Sequence, residues 1–410
     1  MDFEARKVIE ALRSGIPSRT IGGYFATARA ELLAELSEWL EMKDGGGKIL
    51  TANYGEGKTH LLNTVFSMAQ NKNMAVSIVS LSRETPFNNL SLIYNKVTHN
   101  TYLPRREQPG FEHLVAQLSP GNMTELQLYA AKSLQTDKLY YLLKAFSNTD
   151  NIDIRFSLLA DLQGDFITNA QLKKVYREIF AEKVVFSANF AKTKHVWDYF
   201  LFLSRLFALS GLGGWVILFD EAEHIGRLGR KSRFGAYTNM SKFLCSDASN
   251  ALSLFTMTHN YATQVIDGKD ERKYLAEAEG FDREIIEETL VRIETAPELA
   301  PLSRDEFMKV LMKITDFHAR AFNWRPNVNT AELCEMAWSR GYYLRTKIRA
   351  AIEFLDQLLQ YGDTGNITAG DLEQETYDEE IPLPDELILD SDSESIGKSA
   401  TEGHYAGLSY

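Results

Sequence analysis

The sequence predicts a mixed α/β fold built on a parallel sheet, with a helical insertion and a C-terminal set of helices. Three observations predict it. Lys48 to His60 reads as strand, glycine loop and helix start in that order. Trp215 to Glu221 is an apolar run ending in two carboxylates, and Ala251 to Asn260 is an apolar run ending in polar residues. Strands separated by long helix-patterned stretches are the mark of a parallel sheet.

The first stretch reads Lys48-Ile-Leu-Thr-Ala-Asn-Tyr-Gly-Glu-Gly-Lys-Thr-His60. Ile49 and Leu50 are the strand, and Leu61, Leu62, Val65, Phe66 and Met68 give the helix its apolar period. Between them Gly55 and Gly57 leave backbone N–H groups unobstructed, so they can converge on a phosphate. The start of the following helix adds unpaired donors and a positive dipole end. Lys58 is the point charge for the terminal phosphates, and the Thr59 hydroxyl a ligand for Mg²⁺. The whole cradle is Asn53, Tyr54, Gly55, Glu56, Gly57, Lys58, Thr59 and His60, and it implies ATP with Mg²⁺. Ala52 stands where the usual pattern has its first glycine, which a negative φ tolerates. The plainer alternative is a glycine-rich turn beside a solvated lysine.

In Trp215-Val-Ile-Leu-Phe-Asp-Glu221, five apolar residues bury a strand whose end delivers Asp220 and Glu221 to different sides. Asp220 is assigned to the metal and Glu221 to the attacking water, with Glu223 as the second candidate base. The strand Ala251 to Asn260 would then carry a polar group between phosphates and acids. Asn260 is the choice, with Thr258 behind it. An ordinary strand end entering a loop is the alternative.

The chain has 410 residues and a net charge of −12, but the negative excess is local. From Asp371 to Glu394 it is rich in carboxylates and has no Lys or Arg, so residues 1–370 are close to neutral. Such a body is no bulk nucleic-acid binder. Cys245 and Cys334 offer neither a disulfide framework nor metal spacing and suit a reducing cytosol. No apolar run approaches a membrane span and no signal-peptide pattern opens the chain, so the expected location is cytoplasmic.

In chain order, residues 2–14 read as an amphipathic helix (Val8, Ile9, Leu12) and residues 24–42 as a second (Leu32, Leu33, Leu36, Trp39, Leu40), ended by Asp44 and three glycines. The stretch 1–46 is expected to cover the nucleotide site, with simple packing as the alternative. Residues 74–81 form a second buried strand with Arg83 and Glu84 at its ligand end. Residues 87–211 are helix-patterned, too long for one crossover, and read as an insertion in a core of 47–300. Arg227-Leu-Gly-Arg-Lys-Ser-Arg233 reads as a basic loop, more a solvated surface than a phosphate contact. Residues 290–294 read as a short last strand. A lid is expected over 301–362, with a capped helix at Ser303 and Glu306 and a last helix carrying Leu344, Ile348, Ile352, Leu355 and Leu359 as one stripe. Arg345, one turn before Arg349, is the lid arginine expected to reach a γ-phosphate. The acidic tail, 363–410, is expected to be disordered.

This order of glycine loop, acidic strand, polar-ended strand and helical lid resembles an AAA+ P-loop ATPase of the origin-recognition branch. Ile9-Glu-Ala-Leu-Arg-Ser-Gly-Ile-Pro-Ser-Arg19, Tyr54-Gly-Glu-Gly-Lys-Thr-His-Leu-Leu62 and Leu218-Phe-Asp-Glu-Ala-Glu223 are similar to the ATP-binding proteins of bacterial phage-exclusion (BREX) defence systems, over roughly residues 4–360. The resemblance implies an ATPase acting within a multi-protein defence complex. By position it places Lys58 and Thr59 in the phosphate loop, Asp220 and Glu221 in the acidic strand, and Asn260 and Arg345 at sensor positions. For an arginine acting on a neighbouring subunit it offers only Arg292 and Arg283, so a homo-oligomer is left open. The alternatives carried forward are a nucleotide-gated interaction module without hydrolysis, and an ATPase that loads partners onto DNA through Arg230 and Lys231. The acidic tail replaces the DNA-binding domain in which origin-recognition proteins end and would repel DNA.

Overall fold

The computed structural model describes residues 2–14, 23–25, 29–245, 248–341 and 343–362. At its centre lie β1 (Gly46–Ala52), β2 (Ala75–Ser80), β3 (Thr101–Tyr102), β4 (Trp215–Asp220) and β5 (Ala251–Thr258), in the order β1-β5-β4-β2-β3. All neighbours are parallel except β3, which runs antiparallel to β2. In β4, Trp215, Ile217 and Phe219 enter the core on one face, and Val216 and Leu218 enter the core on the other. Burial on both faces is why this strand reads as an unbroken apolar run instead of an alternation.

The first helices are α1 (Phe3–Ser14) and α2 (Ala30–Trp39), and α3 (Lys58–Asn71) follows β1. After β2 come α4 (Leu90–His99), β3, α5 (His113–Gln117), α6 (Pro120–Lys132), α7 (Lys138–Ser147), α8 (Ile152–Leu162), α9 (Asn169–Phe180) and α10 (Lys192–Leu209). Then α11 (Arg230–Leu244) follows β4, and α12 (Glu271–Leu275) and α13 (Arg283–Glu294) follow β5. The last three are α14 (Arg304–Phe322), α15 (Thr330–Ser339) and α16 (Leu344–Tyr361).

The inserted helices share one core with a face of the sheet. Its polar centre is Lys138, fully buried, whose Nζ donates to Asp161 Oδ2 at 2.6 Å and to the Ile167 carbonyl at 2.8 Å. The other oxygen of Asp161 accepts from Tyr199 at 2.6 Å. A buried charge survives only when paired and hydrogen-bonded, and here the ammonium has a carboxylate, a carbonyl and the face of Phe190 at 4.3 Å. The insertion is not wholly helical, since it also supplies β3, whose Thr101 hydroxyl meets Ser77 at 2.7 Å.

Three expectations are corrected. Residues 290–294 are the last turns of α13, not a strand: Ile286, Leu290 and Ile293 are buried at helical spacing, a period that a five-residue window cannot show. The extended segment on the free edge of β1 comes just after it, where Thr51 N–H donates to Pro297 O and Leu299 N–H to Thr51 O. The glycines expected to end the second helix are partly strand, because β1 begins at Gly46. The basic stretch 227–233 is not a loop: α11 begins at Arg230, and Arg233 is buried, donating through Nε to Glu271 at 2.6 Å.

The stretch before β1 divides between two bodies. α2 packs with α3 on the sheet through Leu36, Trp39, Leu62 and Val65. α1 instead packs with α14 and α16, where Ala5, Val8 and Ile9 meet Phe307, Leu311 and Ile352. Arg13 fixes it there with two hydrogen bonds from its NH2 nitrogen to Asp356, at 2.8 and 2.9 Å. Part of the helix expected over 24–42, and the tail expected over 363–410, lie outside the described residues. Among the described residues no helix is long and apolar enough to cross a membrane.

Candidate functional site

The carboxyl ends of β1, β5 and β4 lie side by side, with Ala52 opposite Thr258 and Phe219 opposite Phe255. Everything predicted to touch phosphate leaves the sheet from this end. Ala52 finishes β1 and is not among the residues with positive φ, so its methyl costs nothing there. Gly55 and Gly57 have φ of +77° and +93°, the left-handed region that glycine enters without strain. Gly55 is needed twice over, because a Cβ there would stand 3.2 Å from the Cβ of Tyr343.

The two strongest motifs meet directly. Thr59, in the first turn of α3, donates its hydroxyl to Asp220 Oδ2 at 2.6 Å. Asp220 is 2% exposed, and its Oδ1 accepts from the Thr256 hydroxyl at 2.7 Å and from the Glu221 N–H at 3.0 Å. Glu221 itself takes a left-handed backbone, φ 57°. Such a conformation costs a residue with a Cβ about 1 kcal/mol or more and gathers at functional sites.

Lys58 is 9% exposed and donates to the Ala52 carbonyl at 3.2 Å, with Glu223 Oε1 4.0 Å away. The other oxygen of Glu223 is buried without a hydrogen-bond partner among the described residues. Burial raises the pKa of Glu223, and burial together with Asp220 raises that of Glu221. A cation, a hydroxyl and several carboxylates thus share one pocket edge, an all-oxygen donor set that suits a hard divalent ion bridged to phosphates. Hydroxyl, aspartate and an unsatisfied buried carboxylate oxygen fit Mg²⁺.

The lid meets the same loop. Arg345 sits in the first turn of α16 with its guanidinium 5.6 Å from the ring of Tyr54, and donates to the Tyr54 hydroxyl at 3.4 Å. Arg29 was missed by sequence reasoning, since an arginine before a helix is unremarkable. Its NH2 donates to Glu56 O at 3.0 Å and Ala300 O at 3.1 Å, while its backbone N–H donates to Glu306 Oε1 at 2.9 Å. It therefore ties the phosphate loop to the capping box that starts α14. Thr256 was also missed. Its signal was a hydroxyl inside a largely apolar strand, shared with Ser253.

Other predicted residues lie farther out. Asn260 is exposed beyond the end of β5, and its carbonyl accepts from Thr263 and Gln264 in the next turn. Asn53 reaches Glu298 at 3.5 Å. Arg83 and Glu84 are exposed. Arg292 donates to Glu288 and to the carbonyl of Leu244, near the amino end of β1 and away from the phosphate end. Arg283 donates to Ala278 O.

His60, the last cradle residue, packs against Phe25 with ring centroids 6.1 Å apart, and burial followed by Arg29 depresses its pKa to about 4. The folded state therefore keeps it neutral. Its stabilising share is complete above the ordinary histidine value of about 6.5 and is lost as pH falls toward 4. At pH 5 the loss is on the order of 1–2 kcal/mol. Thermal melting from pH 7.5 to 5 should show a steeper decline for wild type than for His60→Phe; parallel curves would contradict the depressed value.

A family model described as "BREX system ATP-binding protein BrxC/D" matches residues 2–118 and 107–365. No curated protein matches. Among solved structures, the Walker-type ATPase PABY2304 of Pyrococcus abyssi is similar with 14% identity and a TM-score of 0.34, covering 80% of this chain and 68% of that one.

Proposed function

Because the chain belongs to the BREX system ATP-binding protein family, we propose that it is an ATPase of the AAA+ kind, working with other proteins of an anti-phage defence system. The observation that carries this reading is the 2.6 Å bond from Thr59 to Asp220, which joins glycine loop and acidic strand into one site. ATP lies along Asn53 to His60, with the open N–H groups of the glycines and the start of α3 on its phosphates. Lys58 neutralises the terminal phosphates, leaving the Ala52 carbonyl and Glu223 that now hold it. Thr59 and Asp220 hold Mg²⁺, which when bound screens the charge of the phosphates. Glu221 takes the proton of the attacking water, and Asn260 is the group assigned to orienting that water.

The contacts of Arg345 with Tyr54 and of Tyr343 with Gly55 favour a second reading for the lid. Nucleotide must repack these contacts, so binding alone changes the lid angle, and a gated interaction module needs no hydrolysis. Phosphate release by the pure protein, with and without duplex DNA, separates the readings. Steady release that stops in the absence of Mg²⁺ supports the ATPase. Tight ATP binding with no release supports the gate. Stimulation by DNA, lost with Arg230 and Lys231, supports loading onto DNA.

A further inference from the structure

We infer that Thr256 is a positioning residue for the metal, holding the Asp220 carboxylate so that one oxygen stays turned to the phosphate loop. This rests on the ATP·Mg²⁺ reading of the site and adds a residue to it. Both oxygens of Asp220 are assigned. Oδ2 takes the Thr59 hydroxyl at 2.6 Å, and Oδ1 takes the Thr256 hydroxyl at 2.7 Å and the Glu221 N–H at 3.0 Å. The three donors come from α3, from β5 and from the peptide that follows β4, so they fix the carboxylate plane from separate elements.

Thr256 itself is 1% exposed in the middle of β5, where its neighbours Leu254, Phe255 and Met257 are apolar and buried. A hydroxyl there is costly unless bonded, and the second acceptor near it, the Phe219 carbonyl, lies at 3.5 Å. The carboxylate is therefore its partner. A valine would fill the same volume without donating a proton. The carboxylate would then be held at Oδ1 by the Glu221 N–H alone, and its plane would be fixed by two donors instead of three. Groups bonded to a metal ligand set its orientation, and losing one costs about tenfold or more in metal affinity. The Thr59 hydroxyl can serve both partners, with its proton on Asp220 and a lone pair on the ion.

The test is calorimetric titration of the full chain with ATP at stepped MgCl₂, beginning in EDTA. For Thr256→Val the half-saturating Mg²⁺ should rise about tenfold, while affinity for Mg²⁺-free ATP stays at the wild-type value. Thr256→Ser, which keeps the donor, should stay within about twofold of wild type by the same reasoning. If Thr256→Val melts too early to assay, Thr256→Cys, a weak donor of similar size, should show a smaller rise. A Mg²⁺ curve for Thr256→Val, or for that cysteine variant, superimposed on wild type while Asp220→Asn is shifted would overturn the role of Thr256 alone. Wild-type behaviour of Asp220→Asn would instead overturn the metal site from which the inference starts.

Discussion

Lys58→Ala should abolish measurable ATP binding, with affinity falling by at least about a hundredfold, or close to 3 kcal/mol. The side chain is 9% exposed, and its charge acts where water screens little. In the variant the phosphates would meet Glu223 with no cation between them, since Glu223 Oε1 is 4.0 Å from the ammonium that is removed. Charge-assisted contacts to phosphate are among the strongest available to a side chain. Fluorescence titration with an ATP analogue checks the outcome, with thermal melting as the control for folding. Equal affinity in the two proteins would sink the site.

Glu221→Gln should bind ATP as tightly as wild type yet release phosphate some hundredfold to ten-thousandfold more slowly, the usual range for a lost general base. The amide keeps the shape of the carboxylate, and the N–H that bonds Asp220 belongs to the backbone, so the metal site is untouched. Only the proton acceptor is gone. Single-turnover phosphate release reads the chemistry directly. Were this variant to turn over normally while Glu223→Gln was slow, the base would pass to Glu223, whose buried oxygen, without a partner among the described residues, makes it the ready substitute. Because burial raises the pKa of both carboxylates, turnover should fall off with acid above the usual carboxylate range.

The glycine loop and the acidic strand were legible because phosphate chemistry dictates residue type at fixed spacing, whatever surrounds them. The strands β4 and β5 were legible because burial on two faces leaves long, largely apolar runs, and β1 and β2 from shorter apolar stretches at Ile49–Leu50 and Val76–Val79. Residues 290–294 misled because five residues hold too little period to separate strand from helix. Arg233 misled because a charge written among other charges looks solvated, whereas its partner Glu271 is 38 residues away. The docking of α1 on the last helices, and the bonds of Arg29 and Thr256, depend on contacts between distant parts of the chain. A single sequence carries no trace of those beyond an apolar stripe or a stray hydroxyl.

The packing of α1 has a practical corollary. The first described residues pack with α14 and α16, tied by Arg13 to Asp356 and by Arg320 to Asp2, while α2 packs on the sheet. A dye placed near Asp2 would therefore report on the position of α14 and α16, and, on the lid reading, its distance to the sheet should change when ATP is added.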